Sequence, residues 1–119
     1  MRNKNQKGRC VKMSLPHFDE VVKTYDDLQL AAAKLLSDNS GFVSIQSNVD
    51  SVDVDGTKYT TDFVCCDKDG ASNAFECVYR KQMDKPKTMK LLDASQQFWT
   101  ARGISWGLIT DKAGDEDGK

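Results

Sequence analysis

Lys58-Tyr59-Thr60-Thr61-Asp62-Phe63-Val64-Cys65-Cys66 runs into Asp67-Lys68-Asp69-Gly70 and then Ala74-Phe75-Glu76-Cys77-Val78-Tyr79-Arg80. The flanking runs are rich in β-branched and aromatic residues, and the Asp-Gly between them is a strong hairpin signal. Upstream, Leu28, Ala31, Ala32, Leu35 and Leu36 recur at helical spacing. Thr24 is the expected cap of that helix, Asp26 and Asp27 suit its first turn, and Asp38-Asn39-Ser40-Gly41 closes it. Phe42 to Val52 reads as an irregular strand, with a turn at Asp53-Val54-Asp55-Gly56. Downstream, Pro86 opens a second helix that carries Leu91, Leu92, Phe98 and Trp99 on one face, with Gly103 just past its end. Ile104 to Thr110 is nearly continuously apolar and reads as a strand buried on both faces. The order helix, three strands, helix, strand demands a crossover before the last strand, hence a parallel pairing within a mixed sheet. The expected class is α/β, a mixed central sheet flanked by helices.

The chain of 119 residues suits one domain. Its expected organisation is a polar basic arm over residues 1–22, a folded domain over residues 23–112 and an acidic disordered tail over residues 113–119. Seventeen Lys plus Arg against 18 Asp plus Glu argue against a protein that coats nucleic acid by bulk charge, while leaving room for a local basic face. No apolar run approaches the length of a membrane span, and no apolar segment follows the basic N-terminus as a signal peptide would require. The expectation is a cytoplasmic protein without membrane contact, whose Cys10, Cys65, Cys66 and Cys77 remain free thiols. A single histidine, His17, excludes a mainly imidazole metal site and has no identifiable partner. The absence of CxxC spacing disfavours a zinc–thiolate centre.

Two acids interrupt the hairpin strands, Asp62 on the first and Glu76 on the second. If they share a face, their oxygens can hold one hard divalent ion, Mg2+ or Mn2+, which takes one or two carboxylates and keeps several waters. The competing reading is that both project to solvent from an exposed sheet face. Arg80, Lys81, Lys85, Lys87 and Lys90 form a basic stretch suited to phosphate contacts or, equally, to a solvated helix start. Trp99 and Trp106 sit in apolar patterns and read as core rather than as base-stacking platforms.

The Thr61-Asp62-Phe63-Val64 strand, its Lys68-Asp69-Gly70 turn and the block from Gln97 to Lys112 (Phe98-Trp99, then Arg102-Gly103-Ile104-Ser105-Trp106-Gly107-Leu108-Ile109-Thr110-Asp111-Lys112) together resemble the N-terminal endonuclease domain of TnsA, the subunit that cuts the 5′ ends of certain transposons. The resemblance covers about residues 24–112. It implies a restriction-endonuclease-like, PD-(D/E)XK fold in which acids on a hairpin hold Mg2+ or Mn2+, a bound water attacks the phosphodiester, and a lysine stabilises charge. It also implies DNA as substrate and transposase or phage proteins as partners.

Carried over residue by residue, Asp62 matches the first-strand acid and Gln29 falls where the family has a helix acid. Glu76 fits the second-strand acid-or-amide position, which puts Val78 at the lysine position. Counting without gaps from Asp62 instead puts Arg80 there, with Lys81 beside it and pointing to the other face if the strand continues. Arg80 can stabilise charge but cannot carry a proton. Lys23 or Lys34 are further candidates to supply the lysine. The implied catalytic set is therefore Asp62, Glu76, Gln29, Arg80 and Lys81, with Asp62 and Glu76 as metal ligands, in an eroded active site. Two functions stand open: Mg-dependent DNA cleavage, and a catalytically inactive relative that binds DNA or protein in a phage or mobile-element system. The resemblance also implies a second domain after the first, and the few residues after Lys112 lead to the expectation of the first domain alone.

Overall fold

The computed structural model describes residues 2–3, 11–14, 18, 21–38 and 41–111. Five strands make the central sheet, the short β1 (Arg2–Asn3) and four longer ones: β4 (Phe42–Val54), β5 (Thr57–Asp67), β6 (Ser72–Cys77) and β7 (Ser105–Ile109). β4 and β6 flank β5 and both run antiparallel to it. β7 lies beyond β6 and parallel to it. That parallel pairing follows from the crossover helix α2 (Pro86–Thr100), which returns the chain to the end of the sheet where β6 starts before β7 begins. A short β1 (Arg2–Asn3) pairs with Tyr59 and Thr60, and β2 (Val11–Ser14) pairs with β3 (Val21–Thr24) in a separate two-stranded sheet. Among the described residues no helix is long and apolar enough to cross a membrane.

The β5–β6 turn forms as its sequence dictates. Asp67 Oδ1 accepts from the backbone N–H of Asp69 and of Ala71, both at 2.9 Å, and Gly70 takes φ +88°. The resulting register sets Phe63 opposite Phe75. On β7, Gly107 lies opposite Phe75, and a Cβ there would stand 3.1 Å from that ring, so glycine lets the strands keep their spacing.

Helix α1 (Asp27–Ser37) begins later than its sequence suggests. Thr24 ends β3 and is buried, and Asp26 is the cap instead, its Oδ1 accepting from Gln29 N at 2.8 Å. Leu28, Ala32, Ala33 and Leu36 face inward and meet Val22, Ile45, Phe63, Cys65 and Cys77 in one apolar layer. At its C-terminus the Asp38 N–H reaches the carbonyls of Lys34 and Leu36.

Other expectations also shift. Part of the region read as an arm is strand, with Val22 fully buried in the core; residues 1, 4–10, 15–17, 19–20, 39–40 and 112–119 lie outside the described residues, which takes in Cys10, His17, the Asn39-Ser40 of the expected helix stop and the acidic tail. β4 is two residues longer than read and bends at register shifts between Phe42 and Ser44 and between Asp50 and Asp53. β6 stops at Cys77 rather than Arg80: Val78 N bonds Ile109 O, and the chain then turns through a 3-10 segment at Arg80–Gln82. The premise that would put Lys81 on the opposite strand face is therefore absent. β7 is only half-buried, because it is the outermost strand on its side of the sheet and among the described residues pairs with β6 alone.

Candidate functional site

Alternation along β6 sends Phe75 and Cys77 toward α1, so Glu76 between them points toward α2. There its carboxylate is enclosed. Glu76 Oε2 accepts from Thr61 Oγ1 at 2.9 Å and from Ser95 Oγ, and Oε1 takes the backbone N–H of Asp62 at 3.4 Å. Each hydroxyl is itself held by an indole: Trp99 Nε1 donates to Thr61 Oγ1 at 2.8 Å, and Trp106 Nε1 donates to Ser95 Oγ at 3.0 Å. An indole N–H is only a donor, so it occupies a hydroxyl lone pair and leaves the hydroxyl proton for the carboxylate. Burial pushes the Glu76 carboxyl up from its ordinary 4.5 to about 7, and the nearby Asp62 charge adds to the rise.

Asp62 takes different partners. Its Oδ2 accepts the Cys77 backbone N–H at 2.7 Å, replacing a carbonyl in the ladder just past the Phe63–Phe75 pair. Its Oδ1 accepts from Gln29 Nε2 at 3.0 Å, which ties β5 to α1. The orientation of the Gln29 amide is settled by its other contacts. Gln29 Oε1 receives the backbone N–H of Tyr25 at 2.8 Å, and a backbone amide can only donate. The Gln29 amino group must therefore face Asp62, and it also donates to Asn48 Oδ1 at 2.9 Å. Asn48 sits at φ +53° within β4 and donates in turn to Lys23 O at 2.9 Å, joining β4 to β3.

Asp62, Glu76 and Gln29 thus come together as the sequence suggests, but in an arrangement that does not fit a divalent ion. Gln29 aims a donor nitrogen where a ligand oxygen is needed, and both Asp62 oxygens and both Glu76 oxygens already accept hydrogen bonds. All three side chains have 0% exposure, whereas Mg2+ keeps several waters. Among the described residues no group of three or more His, Cys, Asp or Glu could hold a metal.

The lysine position brings no charge to the site. Val78 is buried, Arg80 and Lys81 are exposed on the 3-10 turn, and Lys23 and Lys34 are exposed on β3 and α1. Arg80 N bonds Asp111 Oδ1 at 2.7 Å, and the Lys81 ammonium stands 5.9 Å from the centre of the Tyr79 ring. Lys85 and Lys87 are exposed at the start of α2, while Lys90 pairs with Asp55 at 2.8 Å. Cys65, Cys66 and Cys77 are free thiols, and burial pushes the Cys65 thiol up to about 12, which keeps it unreactive.

Ser95 and Asn48 are the residues that sequence reasoning misses. Ser95 lies four residues before Trp99 on α2, so helical spacing places it on the same inward face, and that is the one signal that could have found it. For Asn48, the signal is an asparagine in a strand already irregular, since Asn tolerates positive φ.

No curated protein sequence matches the chain. A family model described as TnsA-like endonuclease N terminal matches residues 20–111, well over half of its length. The matched segment runs from just before β3 to the residue that caps the Arg80 N–H, so it takes in both helices, the four longer strands of the central sheet and every residue of the buried polar site. The chain belongs to the TnsA-like endonuclease N-terminal domain family.

Proposed function

We propose that the protein is a nuclease-fold domain that contacts DNA without cutting it, its ancestral catalytic pocket having become a buried hydrogen-bonded network. The observation that carries this reading is the Gln29 amide, fixed by Tyr25 so that a nitrogen donor faces Asp62. Hydrolysis of a phosphodiester in this fold needs charge stabilisation at the attacked phosphate, and loss of a single such group costs about 10²–10³ in rate. Here Val78 stands at the lysine position and the helix acid is replaced as well.

DNA contact falls to Arg80, Lys81, Lys85 and Lys87, exposed cations in the turn before α2 and in its first residues. Lys90, expected in the same role, is engaged by Asp55. Cations on a short exposed turn suit phosphates rather than base edges, so binding is expected to have little sequence preference.

Incubation of the full chain with supercoiled plasmid and Mn2+ or Mg2+, beside Asp62→Ala, tests the first half. No nicking and no calorimetric Mn2+ binding are expected. Nicking by the parent that disappears in Asp62→Ala would instead establish metal-dependent cleavage. For the second half, duplex binding should weaken with added salt, and Lys85→Ala with Lys87→Ala should lower the log–log salt slope by about 2. A duplex affinity indifferent to salt would exclude this surface.

A further inference from the structure

One helix does not cover the whole of the sheet face it lies on. Beside α1, toward β7, runs an apolar cavity of about 510 Å³ bounded by Leu28, Ala31 and Leu35 of the helix and by Tyr79 and Ile109. A second cavity of about 470 Å³ continues from it past Leu36, Phe42 and Phe75, and the two share Leu35 and Ile109. Leu35 is 57% exposed although it borders both. Together they form a groove whose far wall is β7, the outermost strand, along whose other side no described strand pairs.

The charges at the rim have one sign. Asp27 and Asp111 border the first cavity and Asp38 the second, and no lysine or arginine is among the described residues that line either. The chain's own residues 112–119 are a poor match, since they carry Asp115, Glu116 and Asp117 and no side chain more apolar than Ala113.

We propose that this groove is a docking site for an extended segment of a partner protein, aliphatic at alternate positions and flanked by lysine or arginine. Such a segment pairs its backbone with the edge of β7 that no described strand occupies, and every second side chain then falls on the α1 side, beside Ile109 and against Ala31 and Leu35. The flanking cations meet Asp27, Asp38 and Asp111. The edge supplies main-chain hydrogen bonds, the groove supplies selection for aliphatic side chains, and the rim sets the charge of the partner. The proposal is independent of the DNA reading, because the cations assigned to DNA line neither cavity.

The test uses the full chain and a short fluorescent peptide of alternating valine and threonine with lysines at both ends, read by polarisation. Leu35→Gln and Ala31→Glu alter exposed positions and should leave thermal unfolding unchanged while weakening the peptide roughly tenfold or more. Asp38→Lys, at a helix C-terminus that favours a cation, should weaken it by a smaller factor, and a glutamate-flanked peptide should bind the parent poorly. No binding at about 1 mM, or binding indifferent to Leu35→Gln and Ala31→Glu alike, would overturn the proposal. Tighter binding by an amphipathic helical peptide of the same end charges would overturn it in favour of a helix. A dimer seen by sedimentation and abolished by Leu35→Gln would assign the groove to a second copy of this chain.

Discussion

The two faces of the sheet are built on different physics. Under α1 lies an apolar layer in which Phe63, Ile45, Val22 and Ala33 have no exposure and interlock by shape. Under α2 the contacts that matter are polar: Glu76, Thr61 and Ser95, each fully buried, with the indoles of Trp99 and Trp106 closing the network. An apolar layer loses stability in proportion to the atoms removed. A buried polar network fails differently, since removing one partner leaves another polar group in low dielectric without its hydrogen bond. The first face makes the fold, and the second encloses a carboxyl whose two oxygens both accept hydrogen bonds.

That contrast can be broken most directly at Phe63. Phe63→Ala should cost about 3–5 kcal/mol in urea unfolding, the largest single effect expected, and a cost below any polar deletion under α2 would reverse the comparison. Next comes pH. Glu76 is raised when folded, so the native state holds its proton over a range where the unfolded chain has released it. The Glu76 contribution to stability is then full below pH 4.5 and is lost as pH climbs to about 7, with a slope of up to about 1.4 kcal/mol per pH unit between them. Glu76→Gln should flatten that slope in denaturation series run at several pH values; a parent whose stability rises across the window would contradict the assignment.

Ser95→Ala should follow, costing about 1–3 kcal/mol because Glu76 loses a donor and the Trp106 N–H loses its acceptor. Combined with Glu76→Gln, it should show a coupling of about 0.5–3 kcal/mol in a double-mutant cycle, and strict additivity would mean the two do not act as one network. Smallest is Lys90→Met. Its ion pair with Asp55 is solvent-exposed on both sides, so the melting temperature should barely move, at most a few tenths of a kcal/mol.

The hairpin was the most legible part of the sequence, because an Asp-Gly turn between β-branched runs is set by local backbone preferences that tertiary contacts have little reason to override. The crossover to a parallel β7 followed from a long helix between two strands. β3 was not legible. Val21–Thr24 is short, lies within a region that reads as polar, and is held by its pairing with β2 and by Val22 reaching a core assembled from distant residues. The length of β6 was misread for a related reason: Val78, Tyr79 and Arg80 continue the β-favouring pattern, but the Val78 N–H finds Ile109 O and the chain turns away.

In the site, sequence alone singled out Asp62 and Glu76, since an acid in an otherwise apolar or β-branched run must either face water or find partners. Its apolar pattern also kept both tryptophans in the interior, whereas only the family resemblance placed Gln29 where an acid is expected. What those residues do there was decided by the tertiary structure. The face a strand residue presents follows from its position, but its hydrogen-bond partners come from elements far along the chain: Ser95 and Trp99 from α2 for Glu76 and Thr61, Gln29 from α1 for Asp62. The Gln29 amide turns its nitrogen to Asp62 because the Tyr25 backbone N–H claims its oxygen, and no property of residue 29 taken alone encodes that choice. Residue type and spacing determined which groups are buried together, while the chemistry left to them was set by which donors the fold brings within hydrogen-bond reach.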